Sequence, residues 1–176
     1  MKPTEPENRP IDIAAIVAVA DDNAIGRKGD LLCHLPDDLK HFKQLTLGHP
    51  VVMGRRTYES FPRRPLPGRR NIVITRQKGY APEGATVVHS LAEALQAACG
   101  DEGQVFIIGG AQVYRQAMPL VNTLYLTRIH ARFPDADTFF PDIDPEQWTV
   151  AATEKHPADE RHPHEFEFIT LNRNEI

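Results

Sequence analysis

Ile11 to Ala20 is almost wholly apolar, with Ile and Val alternating among alanines, and its unbroken part from Ile13, the longest apolar run of the chain, stops at Asp21-Asp22-Asn23. A run with no polar alternation predicts a central strand buried on both faces. Asp22 to Leu35 carries Gly26 and Gly29 and little periodicity. It reads as a loop whose length marks it as functional or mobile. Leu35-Pro36-Asp37-Asp38 opens a helix, because proline suits a first turn and acids there face the positive end of the helix dipole. Leu39, Phe42, Leu45 and Leu47 give that helix its expected apolar stripe.

Further along, Pro50 to Met53 predicts a short strand running into Gly54 and a second helix. Asn71 to Thr75 and Ala85 to His89 predict two more strands. Ser90 with Glu93 forms a capping box for a helix expected to end at Gly100. Gln104 to Ile108 is a strand that breaks at Gly109-Gly110 into a helix ending near Pro119. Leu124 to His130, Trp148 to Glu154 and Glu165 to Leu171 read as late strands, the last two pairing as a hairpin across a polar turn. Strands alternate with helices early and cluster late. That order predicts a three-layer α/β domain: a mostly parallel central sheet, flanking helices and an antiparallel C-terminal hairpin.

The chain of 176 residues fits one domain. We expect it over residues 11–176, preceded by a flexible tail over 1–10, which is rich in Pro and Glu. That tail lacks the apolar centre of a signal peptide, which suggests a cytoplasmic protein. No stretch approaches the roughly 20 apolar residues of a membrane helix. Two cysteines, Cys33 and Cys99, exclude a disulfide framework and a Cys-rich zinc site. Cys99 is expected as a small core residue at a helix end. His162 and His164, in a polar turn with no third ligand nearby, are expected to be solvent-exposed rather than to bind metal.

The net charge of −4 argues against general affinity for nucleic acid. Its distribution adds something. Arg55 to Lys78 holds eight basic residues against Glu59 alone, so this segment is +7 and the remainder −11. A basic island on an acidic chain suits a compact polyanion, although scattered arginines on a solvated loop would look the same.

Two strand–glycine–helix junctions carry candidate chemistry, Val51 to Thr57 and Ile107 to Tyr114. At each, glycine lets a ligand approach the backbone, and a new helix offers unpaired N–H groups. Each alone is also an ordinary turn, but a pair could hold a dinucleotide pyrophosphate between them. Neither is a G-x-G-x-x-G or Walker loop. Arg55, Arg56 and Arg76 would suit an adenosine 2′-phosphate, favouring NADPH, with Thr57 and Thr75 as hydroxyl donors. Asp38 either decorates its helix start or, bordering Leu39 and Phe42, sits beside an apolar pocket. There its pKa would rise and it would seek a two-pronged donor, such as the edge of a 2-amino-4-oxo pyrimidine.

From Ile11 to Arg173 the chain resembles the bacterial dihydrofolate reductases. The resemblance rests on Asn23-Ala24-Ile25-Gly26, Leu35 to Lys43, Val52 to Ser60, Pro65 to Arg69, Ile108 to Tyr114 and Leu124 to Ile129, in that order. It implies NADPH-dependent reduction of 7,8-dihydrofolate to tetrahydrofolate, with hydride to the pterin C6 and a proton to N5. Asp38 would be the catalytic carboxylate gripping the pterin, supported by Thr127. Arg69 would bind the glutamate carboxylate of the substrate. Leu31, Leu39, Phe42, Lys43, Phe61, Leu66, Ile108 and Tyr114 would complete the substrate site, over a floor of Ile16, Val17 and Ala18.

The implied cofactor residues are Ala18, Ile25, Gly26, Gly54, Arg55, Arg56, Thr57, Ile74, Thr75, Arg76, Gly109, Gly110, Ala111, Gln112 and Val113. Gly109-Gly110 matches a pair joined by a cis peptide, and Asp22 to Leu35 a lid over the nicotinamide. Leu32-Cys33 stand where most bacterial members have Pro-Trp, which puts a thiol at the pocket mouth. Antifolates are the implied inhibitors and a monomer the implied form. A reductase of a ribosyl-aminopyrimidine would share the cofactor corners without needing both Asp38 and Arg69. A non-catalytic binding module would share the corners too.

Overall fold

In the computed structural model, which describes residues 12–29, 31–98 and 103–175, the first apolar run becomes β1 (Asp12–Val19). Its side chains split by parity, as strand geometry requires. Ile13, Ala15, Val17 and Val19 enter one cluster with Val113, Tyr114 and Leu124. Ala14 and Ile16 enter another with Met53, Tyr58 and Phe106. One strand thus feeds both faces of the sheet, which is why it has no polar alternation.

Around it lie β3 (Val51–Gly54), β4 (Asn71–Ile74), β5 (Ala85–Val88), β6 (Gln104–Ile107) and β7 (Thr123–Ile129), then β9 (Trp148–His156) and β10 (Phe166–Arg173). The order across the sheet is β5-β4-β3-β6-β1-β7-β10-β9. The pairs up to β7 are parallel, and β10 runs antiparallel to both β7 and β9. The helices are α1 (Pro36–Thr46), α2 (Arg55–Ser60), α3 (Leu91–Ala97) and α4 (Ala111–Ala117). Partly buried Phe42 and Leu45 of α1 pack on the face that Ile16 and Met53 occupy. Ala94 of α3 and Val113 of α4 pack on the other.

Three expectations need correction. The loop after β1 contains a short strand, β2 (Ala24–Gly26), paired with β8 (Thr138–Phe139). Strands of three and two residues leave no periodic trace, and their pairing is far apart in sequence. Leu39 and Leu47 are 44% and 49% exposed, so the packed face of α1 is carried by Phe42, Leu45 and buried Thr46. Leu47 has already left the helix and lies against Gly68. His162 is buried, not exposed. Its ring sits 5.1 Å from that of Phe166 and is hydrogen bonded on both nitrogens, so burial leaves it no orphan polar atom. His164 instead sits edge-on to Phe133.

Ser90 accepts from the Glu93 N–H at 3.1 Å, while the Glu93 carboxylate takes the His89 N–H at 2.8 Å, one residue earlier than a capping box requires. The expected helix stop at Gly100, the core role of Cys99, Ile11 and the tail 1–10 lie outside the described residues.

Candidate active site

Asp38 stands in the first turn of α1, within hydrogen-bond reach of β7. Thr127 of β7 donates its hydroxyl to Asp38 Oδ1 at 2.6 Å. The carboxylate lines a cavity with Ala18, Ile25, Leu31, Cys33 and Leu35. Burial among these largely apolar groups raises the Asp38 pKa above its ordinary value, and the Thr127 hydroxyl opposes that rise. Cys33 shares the cavity, and burial together with the Asp38 charge pushes its thiol up as well. Such a thiol stays protonated at neutral pH and is a poor nucleophile.

Asp38, Phe42 and Thr46 are spaced i, i+4, i+8 and so share one face of α1. Arg69 approaches the far end of that face. Its Nη1 donates to Thr46 Oγ1 at 3.2 Å, its Nε donates to the Pro67 carbonyl at 3.0 Å, and its guanidinium lies 5.9 Å from the Phe42 ring centre. The backbones of Asp38 and Thr46 are therefore about 12 Å apart along the helix axis, with Phe42 between them. Phe61 and Leu66 pack into the same cluster as Phe42, Ile16 and Ile108. This apolar strip suits an elongated ligand with a paired donor at one end, flat rings in the middle and an anion at the other. Lys43 is exposed on the last turn of α1, and Leu31 is exposed at the cavity rim.

The floor is β1. Tyr114 is buried and donates its hydroxyl to the Ile16 carbonyl at 2.7 Å, so that carbonyl reaches the site already partly engaged. Burial, aided by the Asp38 charge, holds the Tyr114 hydroxyl far above its ordinary pKa, which keeps it a donor. Val17 is buried beside it and Ala18 reaches the cavity.

The two glycine junctions adjoin because β3 pairs with β6. The Gly54 N–H donates to the Gly109 carbonyl at 2.9 Å. A Cβ on Gly110 would stand 3.5 Å from Thr57 Oγ1, and one on Gly54 the same distance from Val113 Cγ2. Gly109 has φ +118, which favours glycine, and its bond to Gly110 is cis. β4 pairs with β3 so that Ile74 lies opposite Gly54. Thr75 and Arg76 consequently sit at the same sheet edge as Arg55, Arg56 and Thr57.

Arg56 and Arg76 are exposed there, whereas Arg55 is drawn to Glu59 at 3.2 Å and lies 5.9 Å from the Tyr80 ring centre. Thr75 is buried and its hydroxyl oxygen accepts the Gln77 N–H at 3.1 Å. Ala111, Gln112 and Val113 form the first turn of α4 behind this edge. This corner of the sheet has close backbone, a hydroxyl and exposed guanidiniums, a donor set that suits a phosphate-bearing dinucleotide.

The expected lid carries Ile25 to the cavity and Gly26 to β8. The Asp137 N–H donates to the Gly26 carbonyl at 3.1 Å, the Lys28 N–H donates to Asp137 Oδ2 at 2.9 Å, and Arg27 grips Asp135 through both carboxylate oxygens. Sequence reasoning missed these anchors, since nothing local marks residues 135 and 137. It also missed Ile129, Leu32 and Leu35 as cavity walls. Among the described residues no group of three or more His, Cys, Asp or Glu is arranged to hold a metal, and no helix is long and apolar enough to cross a membrane.

Comparison with known proteins gives a consistent answer. The family model described as dihydrofolate reductase matches residues 12–173. The chain is 47% identical to dihydrofolate reductase type 3 of Salmonella typhimurium, over 92% of this chain and 98% of that one. It is 42% identical to the dihydrofolate reductase of Bacillus subtilis, over 92% and 94%. A solved structure of dihydrofolate reductase from Enterococcus faecalis, complexed with NADP(H) and RAB-propyl, matches with a TM-score of 0.86 at 41% identity, over 93% of this chain and 96% of the other.

Proposed function

The chain belongs to the dihydrofolate reductase family, and from that premise we infer that it reduces 7,8-dihydrofolate to 5,6,7,8-tetrahydrofolate with NADPH. One observation carries the site assignment. The half-buried carboxylate of Asp38 and the half-buried guanidinium of Arg69 stand toward opposite ends of the same face of α1, with Phe42 between them. The ribosyl-aminopyrimidine reading does not call for that pair.

When bound, NADPH supplies the hydride that goes to the pterin C6. The protein's share is binding, orientation and electrostatics. Asp38 accepts the ring N–H and the exocyclic amine of the pterin, two parallel charge-assisted bonds that fix the ring in its plane. Thr127 holds the carboxylate in the rotamer that does this. A negative charge at this edge also favours the protonated pterin, so water can deliver the proton to N5 without Asp38 touching that atom.

Ile16, Val17 and Ala18 bear the ring from below, with Leu31 and Leu39 at the rim. Phe42, Phe61, Leu66 and Ile108 clasp the aminobenzoyl group and keep water away. Arg69 takes the glutamate α-carboxylate two-pronged, with Lys43 adding charge nearby. Gly54, Gly109 and Gly110 would hold the cofactor pyrophosphate with Thr57, and Arg55, Arg56 and Arg76 its 2′-phosphate. The segment from Asp22 to Leu35 would close over the nicotinamide, presenting Ile25 and Gly26.

In this reading the enzyme works as a cytoplasmic monomer on small molecules, without nucleic-acid or membrane partners. Antifolates carrying the same donor pair compete at Asp38.

The direct test is loss of absorbance at the NADPH wavelength when dihydrofolate is added, with an antifolate control. Antifolate-sensitive oxidation with stoichiometric tetrahydrofolate is the expected result. Tight NADPH binding without turnover would instead mark a binding module.

A further inference from the structure

Helix α1 starts without a side-chain cap of its own. Its N-cap is Leu35, which makes no side-chain cap hydrogen bond, and Pro36 has no N–H to satisfy. The Asp38 and Leu39 N–H groups turn back to the Leu35 carbonyl at 3.0 and 3.1 Å. The Asp37 N–H alone points out of the helix end, and it donates to Nε2 of His162 at 3.2 Å, across 125 residues of sequence.

That imidazole is held on every side. Its Nδ1–H donates to Asp159 Oδ1 at 2.8 Å, which leaves Nε2 as the acceptor in the neutral ring. The His162 N–H donates to the same carboxylate oxygen at 2.8 Å, and the Asp159 N–H donates to the His162 carbonyl at 2.9 Å. The Phe166 ring lies 5.1 Å away and Asp37 Oδ2 3.7 Å. Bonding to His162 and to neighbouring N–H groups holds the Asp159 carboxyl below the usual carboxylate range, so it stays an acceptor.

A second contact joins the same two elements. His41, one turn along α1, stacks on Phe168 of β10 at 3.9 Å and 7°. Phe168 in turn lies opposite Thr127 on β7. The strand that carries the Asp38 partner and the hairpin that carries His162 are therefore one rigid platform beneath the start of α1.

We propose that His162 is a positioning residue for dihydrofolate reduction: by capping the Asp37 N–H from the C-terminal hairpin, it fixes the first turn of α1 and so the place of the Asp38 carboxylate against Thr127. The inference rests on Asp38 as the group that holds the substrate. A displacement on the order of 1 Å at such a group costs up to a hundredfold in rate.

The test compares His162→Phe, His162→Gln and His162→Asn in the full chain. Phe keeps the ring and loses the acceptor. Gln places an acceptor where Nε2 stands, and Asn is too short to do so. His162→Phe is expected to lower kcat for dihydrofolate by roughly tenfold or more, with the Kd for NADPH unchanged within about twofold. Gln recovers most of the loss and Asn does not. A merely structural histidine would lower Tm in all three variants while leaving kcat intact well below the melting transition, and that result overturns the proposal. Should the Phe variant fail to fold, equal kcat in the Gln and Asn variants overturns it. Absence of turnover in the wild type would instead sink the assigned reaction, so the two failures are distinguishable.

Discussion

Thr127 and Asp38 meet at 2.6 Å although 89 residues separate them. The bond ties the third strand from one sheet edge to the first turn of a helix, and it engages one carboxylate oxygen while the other stays available to the cavity. Thr127→Val keeps the shape and removes the donor. The Asp38 pKa then rises further, because the only group opposing its burial is gone. We expect dihydrofolate binding to weaken, and the pH at which it is half lost to move upward. The stability cost at pH 7 is about 1–2 kcal/mol. Thr127→Ser should behave as wild type. Fluorescence titration with dihydrofolate across pH checks the shift, and an unmoved midpoint would contradict the assigned bond.

Asp38 itself should cost the protein stability. Burial holds its folded pKa above the ordinary 3.8, so the folded chain binds this proton more tightly than the unfolded chain. The stabilisation from that site is complete below pH 3.8 and is lost as pH rises through the folded value. Asp38→Asn has no charge to bury. It should melt higher than wild type at pH 7, and the difference should close by about pH 4. Calorimetry at the two pH values measures this. A variant that melts lower at pH 7 would mean that the carboxylate is better solvated than its cavity implies.

Arg69 offers a separate check on the far end of the strip. Arg69→Lys keeps the charge but loses the fork and the contact with Thr46 Oγ1. The KM for dihydrofolate should rise about tenfold with kcat little changed. A substrate analogue lacking the glutamate should be nearly indifferent to the change. Equal losses for both substrates would place the guanidinium elsewhere than on the tail.

Much of the fold is legible in the sequence because its signals are local. The unbroken run of β1, the prolines and acids that open α1, and the glycines that end β3 and β6 each declare an element within a few residues. At the site less was local: the residues alone left Asp38 between a helix-start acid and a pocket carboxylate, and a role for Arg69 came only from the family resemblance. What was not legible is long-range. The pairing of β2 with β8 involves too few residues to leave a period. The burial of His162 depends on the Asp37 N–H and the Phe166 ring, neither of which its polar neighbourhood in the chain suggests. A trace of the histidine was present all the same: Leu35 is a poor cap, so the α1 start had to find its acceptor elsewhere.

The decisive experiment is single-turnover reduction of dihydrofolate by the NADPH-saturated protein at pH 7, wild type against Asp38→Asn. Two oriented charge-assisted bonds are removed in the variant, so the rate should fall by roughly a hundredfold or more while the Kd for NADPH stays within about twofold. Equal rates, or a parallel loss of cofactor affinity, would mean that Asp38 does not hold the substrate.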